Sequence, residues 1–368
     1  MKIAMLGHKR IPSREGGVEI VVEELATRMV AMGHQVVAYN RKGNHVSDKS
    51  YTLQERREYK GVNIVNVFTL EKKGLNALIY SFFATIKAVF GKHDVIHYHA
   101  EGSCAMIWIP KLFGIRTVAT IHGLDWKRAK WGGFATRYLL FGEKMAAKYA
   151  DEVVVLSKNM QKYFMDTYKR ETKYIPNGIS LPTIKSPKLI KEKYNLEKEE
   201  YILFLARIVP EKGVHYLIEA FKQINTEKKL VIAGGSSHTL EYYKEIKAMA
   251  ETDSRIILTG FVQDLLLEEL YSNCCLYVLP SDVEGMPISL LEAMGYGRRC
   301  LVSDIPENTE LVAGRATVFK HGDIEDLKNK LVKCLEDKEE TGKENISYVK
   351  ENFNWNKIAE QTLSLYKK

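Results

Sequence analysis

Apolar positions in this chain switch between two periods, one of uninterrupted short runs and one of helical spacing. Runs at 3–6, 36–39, 63–67, 95–99, 117–122 and 152–156 read as strands. Between them lie helical stretches. The clearest, at 18–32, sets Val18, Val21, Val22, Leu25, Met29 and Met32 along one face and stops at Gly33. The same alternation returns after a polar, charged, proline-bearing segment at 182–198, with strands at 201–206, 229–233, 255–259, 276–279 and 300–303. Past Asp323 the pattern is helical to the end, the last helix spanning 355–366. Strands buried on both faces and separated by amphipathic helices predict an α/β chain of two doubly wound units with parallel sheets.

At 368 residues the chain is long enough for two ordinary cores. It has no run of eighteen apolar residues, and the short apolar start is followed at once by His8-Lys9-Arg10 rather than a secretory pattern, so a cytoplasmic protein is expected. The five cysteines, Cys104, Cys274, Cys275, Cys300 and Cys334, show no metal-ligand spacing and are expected as packed thiols. A formal charge of +8 is compatible with nucleic acid, anionic lipid or plain solubility. No nucleic-acid module accompanies it. The cations crowd the first half, at Arg56-Arg57, Lys72-Lys73, Lys87, Lys92 and Lys127-Arg128-Lys130, among the aromatics Tyr80, Phe82, Phe83, Phe90, Trp126 and Trp131. That mixture fits contact with an anionic membrane or, equally, aromatics in the core beneath solvated lysines.

The candidate chemistry centres on Glu284-Gly285-Met286-Pro287-Ile288-Ser289-Leu290-Leu291-Glu292, which puts two carboxylates eight residues apart across a helix start. The strand before it should deliver Pro280 to Glu284 at the carboxyl end of a parallel sheet, where open α/β folds bind ligands. Pro287 suits the first helical position, so the N–H groups of Ile288, Ser289 and Leu290 would have no partner inside the helix and could cradle a diphosphate. Glu284 and Glu292 would flank it and accept hydrogen bonds from sugar or ribose hydroxyls. Arg207 and Lys212 follow the strand at 201–206, and a turn at Pro210 would aim both cations at a pyrophosphate.

The chain resembles glycosyltransferase family 4 nearly end to end. The likeness is carried by Gly16-Gly17, Ile121-His122-Gly123, Tyr174-Ile175-Pro176-Asn177-Gly178, Arg207-x4-Lys212, Glu284-x7-Glu292 and Phe353-x-Trp355. It implies the GT-B fold, two Rossmann-like doubly wound domains facing a cleft. An acceptor-side domain at 1–180 and a nucleotide-sugar domain at 181–352 would be followed by a C-terminal helix at 353–368 crossing back to the first. It also implies a retaining, metal-independent hexosyltransferase that uses a nucleoside-diphosphate sugar and no cofactor.

Residue by residue, the resemblance places Gly16 and Gly17 against the donor phosphate or the acceptor, and Arg207 and Lys212 on the leaving diphosphate. Glu284, with Gly285, Met286, Pro287, Ile288, Ser289 and Leu290, would meet the transferred sugar and diphosphate, and Glu292 the ribose. His122 would contact the donor sugar near the reacting carbon, with a proton-carrying role left open. His97, His99 and Glu101 form an H-x-H-x-E pattern that reads as acceptor side rather than metal, because His97 and His99 share a strand face while Glu101 falls in the loop. Asp125 and Trp126 are candidates for the acceptor pocket.

The segments 122–128 and 130–133 look like those of bacterial enzymes that build capsule or exopolysaccharide units, rhamnosyltransferases among them. The expected acceptor is a saccharide carried on a lipid diphosphate, with the enzyme at the inner face of the membrane. A soluble sugar or sugar-phosphate acceptor and a non-catalytic partner of the same fold are the alternatives. A dinucleotide-dependent epimerase is disfavoured, since G-x-G-x-x-G is absent.

Overall fold

A computed structural model describes residues 1–14, 16–43, 56–70, 75–127, 133–235, 240–337 and 342–367. Lys72, Lys73, Arg128, Lys130, Trp131 and Gly132, singled out by sequence, lie outside the described residues. Two compact units result, one from 1–127, 133–178 and 355–367, the other from 179–354.

The first unit is built on β1 (Lys2–Leu6), β2 (Gln35–Arg41), β3 (Glu58–Tyr59), β4 (Val62–Val67), β5 (Val95–His99), β6 (Arg116–Ile121), β7 (Glu152–Val155) and β8 (Lys173–Tyr174). Their order is β3-β4-β2-β1-β5-β6-β7-β8, parallel except for the β3–β4 hairpin. The second unit holds β9 (Tyr201–Leu205), β10 (Lys229–Ala233), β11 (Ile256–Gly260), β12 (Leu276–Leu279), β13 (Cys300–Ser303) and β14 (Thr317–Phe319), all parallel, in the order β11-β10-β9-β12-β13-β14. Helices cover both faces of such sheets, so central strands bury every side chain; the residues of 3–6, 201–204 and 276–279 are fully inaccessible. Each fully buried Phe or Tyr, such as Phe204 or Tyr80, contributes about 1.5–3 kcal/mol through lost water contact.

Both sheets reverse direction of growth once. From β9 the chain adds β10 and β11 on one side, then returns to add β12 on the other; β1 and β5 form the same reversal in the first unit. Loops leaving the carboxyl ends of the two reversal strands diverge and leave a crevice. In each unit a glycine seals the base of that crevice. Gly7, at φ +112°, stands where a Cβ would lie 1.9 Å from the His99 carbonyl, and Gly213, at φ +66°, where it would lie 2.0 Å from the Pro280 carbonyl.

The last helix, Trp355–Ser364, buries Trp355, Ile358, Ala359 and Leu363 on the first unit and runs beside the helix Gly17–Ala31. Arg28 donates to Asn356 at 3.0 Å, and Arg116 donates to the Leu365 carbonyl at 2.8 Å. All five cysteines are buried.

Several expectations need correction. The strand read at 117–122 ends at Ile121, which frees His122 for the loop. The three short strands β3, β8 and β14 carry no periodic signal in two or three residues and went unread. Tyr80 belongs to the core and donates to the Tyr39 carbonyl at 2.5 Å, so it is no part of an aromatic surface.

Candidate active site

In the second unit the loop after β9 turns at Pro210–Lys212 and is stitched to its neighbours by backbone bonds. The Ile208 N–H donates to the Gly235 carbonyl at 3.1 Å, and the Asp282 N–H donates to the Glu211 carbonyl at 3.0 Å. Gly234 permits this approach, since a Cβ there would meet the Ala206 carbonyl at 1.8 Å. The loops that carry Arg207 and Lys212 and those that carry Glu284 are therefore fixed to one another at the reversal between β9 and β12. Lys212 Nζ forms an ion pair with Glu284 Oε1, both side chains largely buried, and the Ser281 hydroxyl donates to the same oxygen at 2.7 Å. Sequence had placed Lys212 on phosphate and Glu284 on sugar; the structure joins the two directly.

The helix that follows begins at Ile288, with Pro287 as its extended N-cap rather than its first helical residue. The Leu291 N–H makes the first turn's bond, to the Pro287 carbonyl at 3.3 Å. The N–H groups of Ile288, Ser289 and Leu290 precede that bond and have no acceptor within the helix. Gly285 and Met286 are buried in the preceding loop. Glu292 lies about one turn in, where the Tyr271 hydroxyl donates to its Oε2 at 2.9 Å. Burial, then the Glu292 charge, holds Tyr271 well above the usual phenol range, so it stays a donor. Tyr296 stacks on Tyr271 with centroids 5.2 Å apart, and the Tyr277 hydroxyl donates to Ser289 Oγ at 2.8 Å. Sequence reading missed Tyr271, Ser281 and Gly234-Gly235. Only the glycine pair, sitting after a strand as Gly16-Gly17 does, carried a signal.

In the first unit the crevice between β1 and β5 holds four imidazoles. His97 contacts the Tyr366 hydroxyl at 2.6 Å through Nδ1 and Thr120 Oγ1 at 2.7 Å through Nε2. His99 Nδ1 lies 3.1 Å from His122 Nε2, while His99 Nε2 is buried with no partner. His8 Nε2 meets Asn40 Oδ1 at 2.9 Å and its Nδ1 is likewise buried without a partner. Ala100, between His99 and Glu101, takes φ +67° and ψ 153°, a conformation that costs a non-glycine residue of order 1–3 kcal/mol.

Glu101 is not in a loop as expected. It opens the short helix Glu101–Cys104 and is fully buried, with Oε2 unpartnered and Oε1 accepting from the Asp125 N–H at 3.3 Å. Burial, then the charges of Asp125 and Glu143, pushes its carboxyl well above the usual range and favours its neutral form. Its neighbour Glu143, also fully buried, accepts from Trp126 Nε1 at 3.1 Å, the Tyr163 hydroxyl at 2.7 Å and the Tyr168 hydroxyl at 2.6 Å. The Asp125–Lys127 turn thus hangs from two buried carboxyl groups, and Trp126 is anchored inward rather than offered to a membrane.

Gly16 and Gly17 stand at the start of the helix Gly17–Ala31, beside Glu19, whose carboxylate accepts from the Lys9 N–H at 2.9 Å and would lie 2.5 Å from a Cβ on Gly16. That helix start already holds a negative charge, which favours hydroxyl over phosphate contact there. Among the described residues no three His, Cys, Asp or Glu side chains are grouped to hold a metal ion.

The histidines give a pH signature. Burial lowers His97 to about 3, with His122 adding to the effect, lowers His8 to about 4, and lowers His99 well below 6.5. The unfolded chain takes up these protons near pH 6.5 and the folded chain does not. Stability is therefore complete above about pH 6.5 and lost as pH falls toward the folded values, by on the order of 1 kcal/mol per pH unit for each histidine. Glu101 acts oppositely: its raised value gives stability present below its ordinary 4.5 and lost as pH rises, but it is one group against three. Urea midpoints should fall from pH 7 to pH 5; equal midpoints would contradict the buried neutral cluster.

Two family descriptions match the chain, one over the body of each unit: Glycosyltransferase Family 4 at 15–182 and Glycosyl transferases group 1 at 186–352. The alpha-maltose-1-phosphate synthase of Mycolicibacterium smegmatis is 26% identical over 406 aligned residues, covering 100% of this chain and 99% of that protein. The UDP-Gal:alpha-D-GlcNAc-diphosphoundecaprenol alpha-1,3-galactosyltransferase of Escherichia coli is 28% identical and covers 67% of each chain. Among solved structures, sucrose-phosphate synthase from Thermosynechococcus elongatus superposes with a TM-score of 0.84 at 23% identity, covering 99% of this chain and 98% of that one.

Proposed function

We propose a specific reaction for this chain, starting from the premise that it is a glycosyltransferase of the GT-B fold that takes a nucleotide-sugar donor. It transfers the sugar with retention to a saccharide acceptor carried on a lipid diphosphate, in the assembly of a capsular or extracellular polysaccharide, rhamnosyl transfer being one such case. The observation that carries the donor half is the Lys212–Glu284 ion pair at the reversal between β9 and β12, with Arg207 in the loop that leaves β9 and a helix start without a side-chain cap alongside.

In this reading Arg207 and Lys212 bind the diphosphate, with Lys212 exchanging Glu284 for phosphate oxygens. The N–H groups of Ile288, Ser289 and Leu290 take further oxygens. Glu292, oriented by Tyr271, accepts from ribose hydroxyls, and Glu284 turns to the transferred sugar. The bond from the anomeric carbon to the diphosphate breaks, the acceptor oxygen bonds on the same face, and its proton passes to the leaving phosphate. No protein nucleophile is required. As negative charge grows on the leaving group, the two cations stabilise it more than they stabilise the bound donor, which makes them catalytic as well as binding groups and removes the need for a metal.

The acceptor half rests on the unpartnered polar atoms of His8, His99 and Glu101, which suit sugar hydroxyls. The diphosphoundecaprenol relative supports a lipid-linked acceptor. The full-length match to a maltose-1-phosphate synthase supports a second reading, a soluble sugar-phosphate acceptor. Offering a panel of nucleotide sugars with lipid-diphosphate saccharides or with sugar phosphates, then reading products by mass and by anomeric proton coupling, separates them. Transfer to the lipid-linked class with retention is expected; transfer only to sugar phosphates installs the second reading, and inversion overturns the mechanism.

Glu292→Ala should raise the calorimetric dissociation constant for the nucleoside diphosphate roughly tenfold or more, the value of a hydrogen bond to a charged group. Unchanged affinity would remove Glu292 from the ribose.

A further inference from the structure

The helix Leu75–Phe90 carries apolar residues on both its buried and its exposed side. One side, with Tyr80, Ala84 and Ala88, is buried in the first unit. The other faces outward and still carries Leu75, Phe82, Phe83 and Phe90, whose spacing keeps them on one face. Phe90 is 72% exposed. The band continues beyond the helix: Phe68, after β4, meets Phe83 edge-on at 6.3 Å, and Phe113 meets Phe90 at 6.2 Å beside the exposed Leu112. Scattered exposed apolar residues are ordinary, but a contiguous aromatic band marks a contact surface.

The charge on this helix is of one sign. The helix has no Asp or Glu, and Lys87 and Lys92 are exposed at its end. Of the acids in the flanking loops, the exposed Asp94 accepts from the Lys2 N–H at 2.6 Å and Asp151 pairs with Lys111 Nζ at 2.6 Å. A second copy seated on the same face would set lysine against lysine, which costs rather than stabilises. An anionic bilayer suits it on both counts, since the rings enter the headgroup boundary while the lysines reach the phosphates.

We propose that this face docks the protein on an anionic lipid bilayer through Phe82, Phe83, Phe90 and Phe113, with Lys87 and Lys92 at the margin. The helix begins at the sheet edge that carries the imidazole cluster, for Arg41 donates both to Asn76 Oδ1 at 3.3 Å and to the Gly7 carbonyl at 3.2 Å. A saccharide anchored in the same bilayer would meet that edge. The docking itself holds whichever acceptor class the enzyme uses.

Flotation with vesicles of phosphatidylglycerol and phosphatidylcholine, against phosphatidylcholine alone, tests it. The protein should float with the anionic vesicles and not with the neutral ones. Phe82→Ser with Phe83→Ser should weaken this about tenfold or more, as loss of buried aromatic surface predicts. The single change Phe90→Ser, at a position that supports little of the core, guards against a folding artefact, and an unchanged thermal shift with UDP confirms intact protein. Absence of flotation overturns the proposal. So does a concentration-dependent dimer, seen by sedimentation velocity, that the same substitutions abolish.

Discussion

Lys212→Ala should lower kcat/KM about ten- to a hundredfold and, separately, destabilise the free protein by about 3 kcal/mol. The first number is the value of a charge-assisted hydrogen bond to the leaving diphosphate, 1.5–3 kcal/mol in round terms. The second follows from what Lys212 leaves behind. Glu284 is only 6% exposed and would lose its cation while keeping the Ser281 hydroxyl as a donor, and breaking a buried pair by removing one partner costs about 3–5 kcal/mol. The two effects separate in a double variant. Lys212→Ala with Glu284→Gln removes the stranded charge, so urea unfolding should recover most of the stability while turnover stays low. If the double variant is as unstable as the single one, Glu284 is not the group that Lys212 neutralises. If Lys212→Ala turns over normally, the cation has no part in diphosphate departure.

Glu143→Ala, in the first unit, should cost about 3 kcal/mol and raise the acceptor KM more than it lowers kcat. Glu143 gathers three donors, from Trp126, Tyr163 and Tyr168, in a site with no exposure of its own. Alanine strands all three, and each stranded buried donor costs about 1–3 kcal/mol, less where the half-buried tyrosines reach water. It also removes a neighbouring charge that keeps the Glu101 carboxyl high. The turn carrying Asp125 and Trp126 would then lose its anchors, which is why the effect should fall on KM. Tryptophan fluorescence and urea unfolding read the two parts; a loss under 1 kcal/mol with an unchanged spectrum would mean the network is not what holds the turn.

Much of the scaffold was legible because its strands are covered on both faces, and such strands read as continuous apolar runs. Tyr201–Leu205 and Leu276–Leu279 announce themselves this way. Lys173–Tyr174 does not, being an edge pair whose pairing is set by β7 rather than by its own residues. The candidates proposed for the donor side were also legible singly, since Arg207, Lys212, Glu284 and Glu292 sit in fixed spacings beside strands. Their pairing was not. Lys212 and Glu284 are 72 residues apart and meet only because the sheet reverses between β9 and β12. Glu143 was invisible for the same reason, as an acidic residue inside an ordinary-looking helix whose donors arrive from 17, 20 and 25 residues away. The aromatic residues of the first half looked alike in sequence; only packing sorted Tyr80 into the core, Trp126 onto a buried carboxylate and Phe90 to the surface.

The central claim is that the carboxyl edge of the second unit, between β9 and β12, binds a nucleoside diphosphate through Arg207 and Lys212. Calorimetric titration of the intact chain with UDP, GDP and dTDP, each beside its monophosphate, tests this directly. One diphosphate should bind at least tenfold more tightly than its monophosphate, and Arg207→Ala or Lys212→Ala should erase that difference. Equal affinity for diphosphate and monophosphate, or a preference that survives the loss of both cations, would contradict the account.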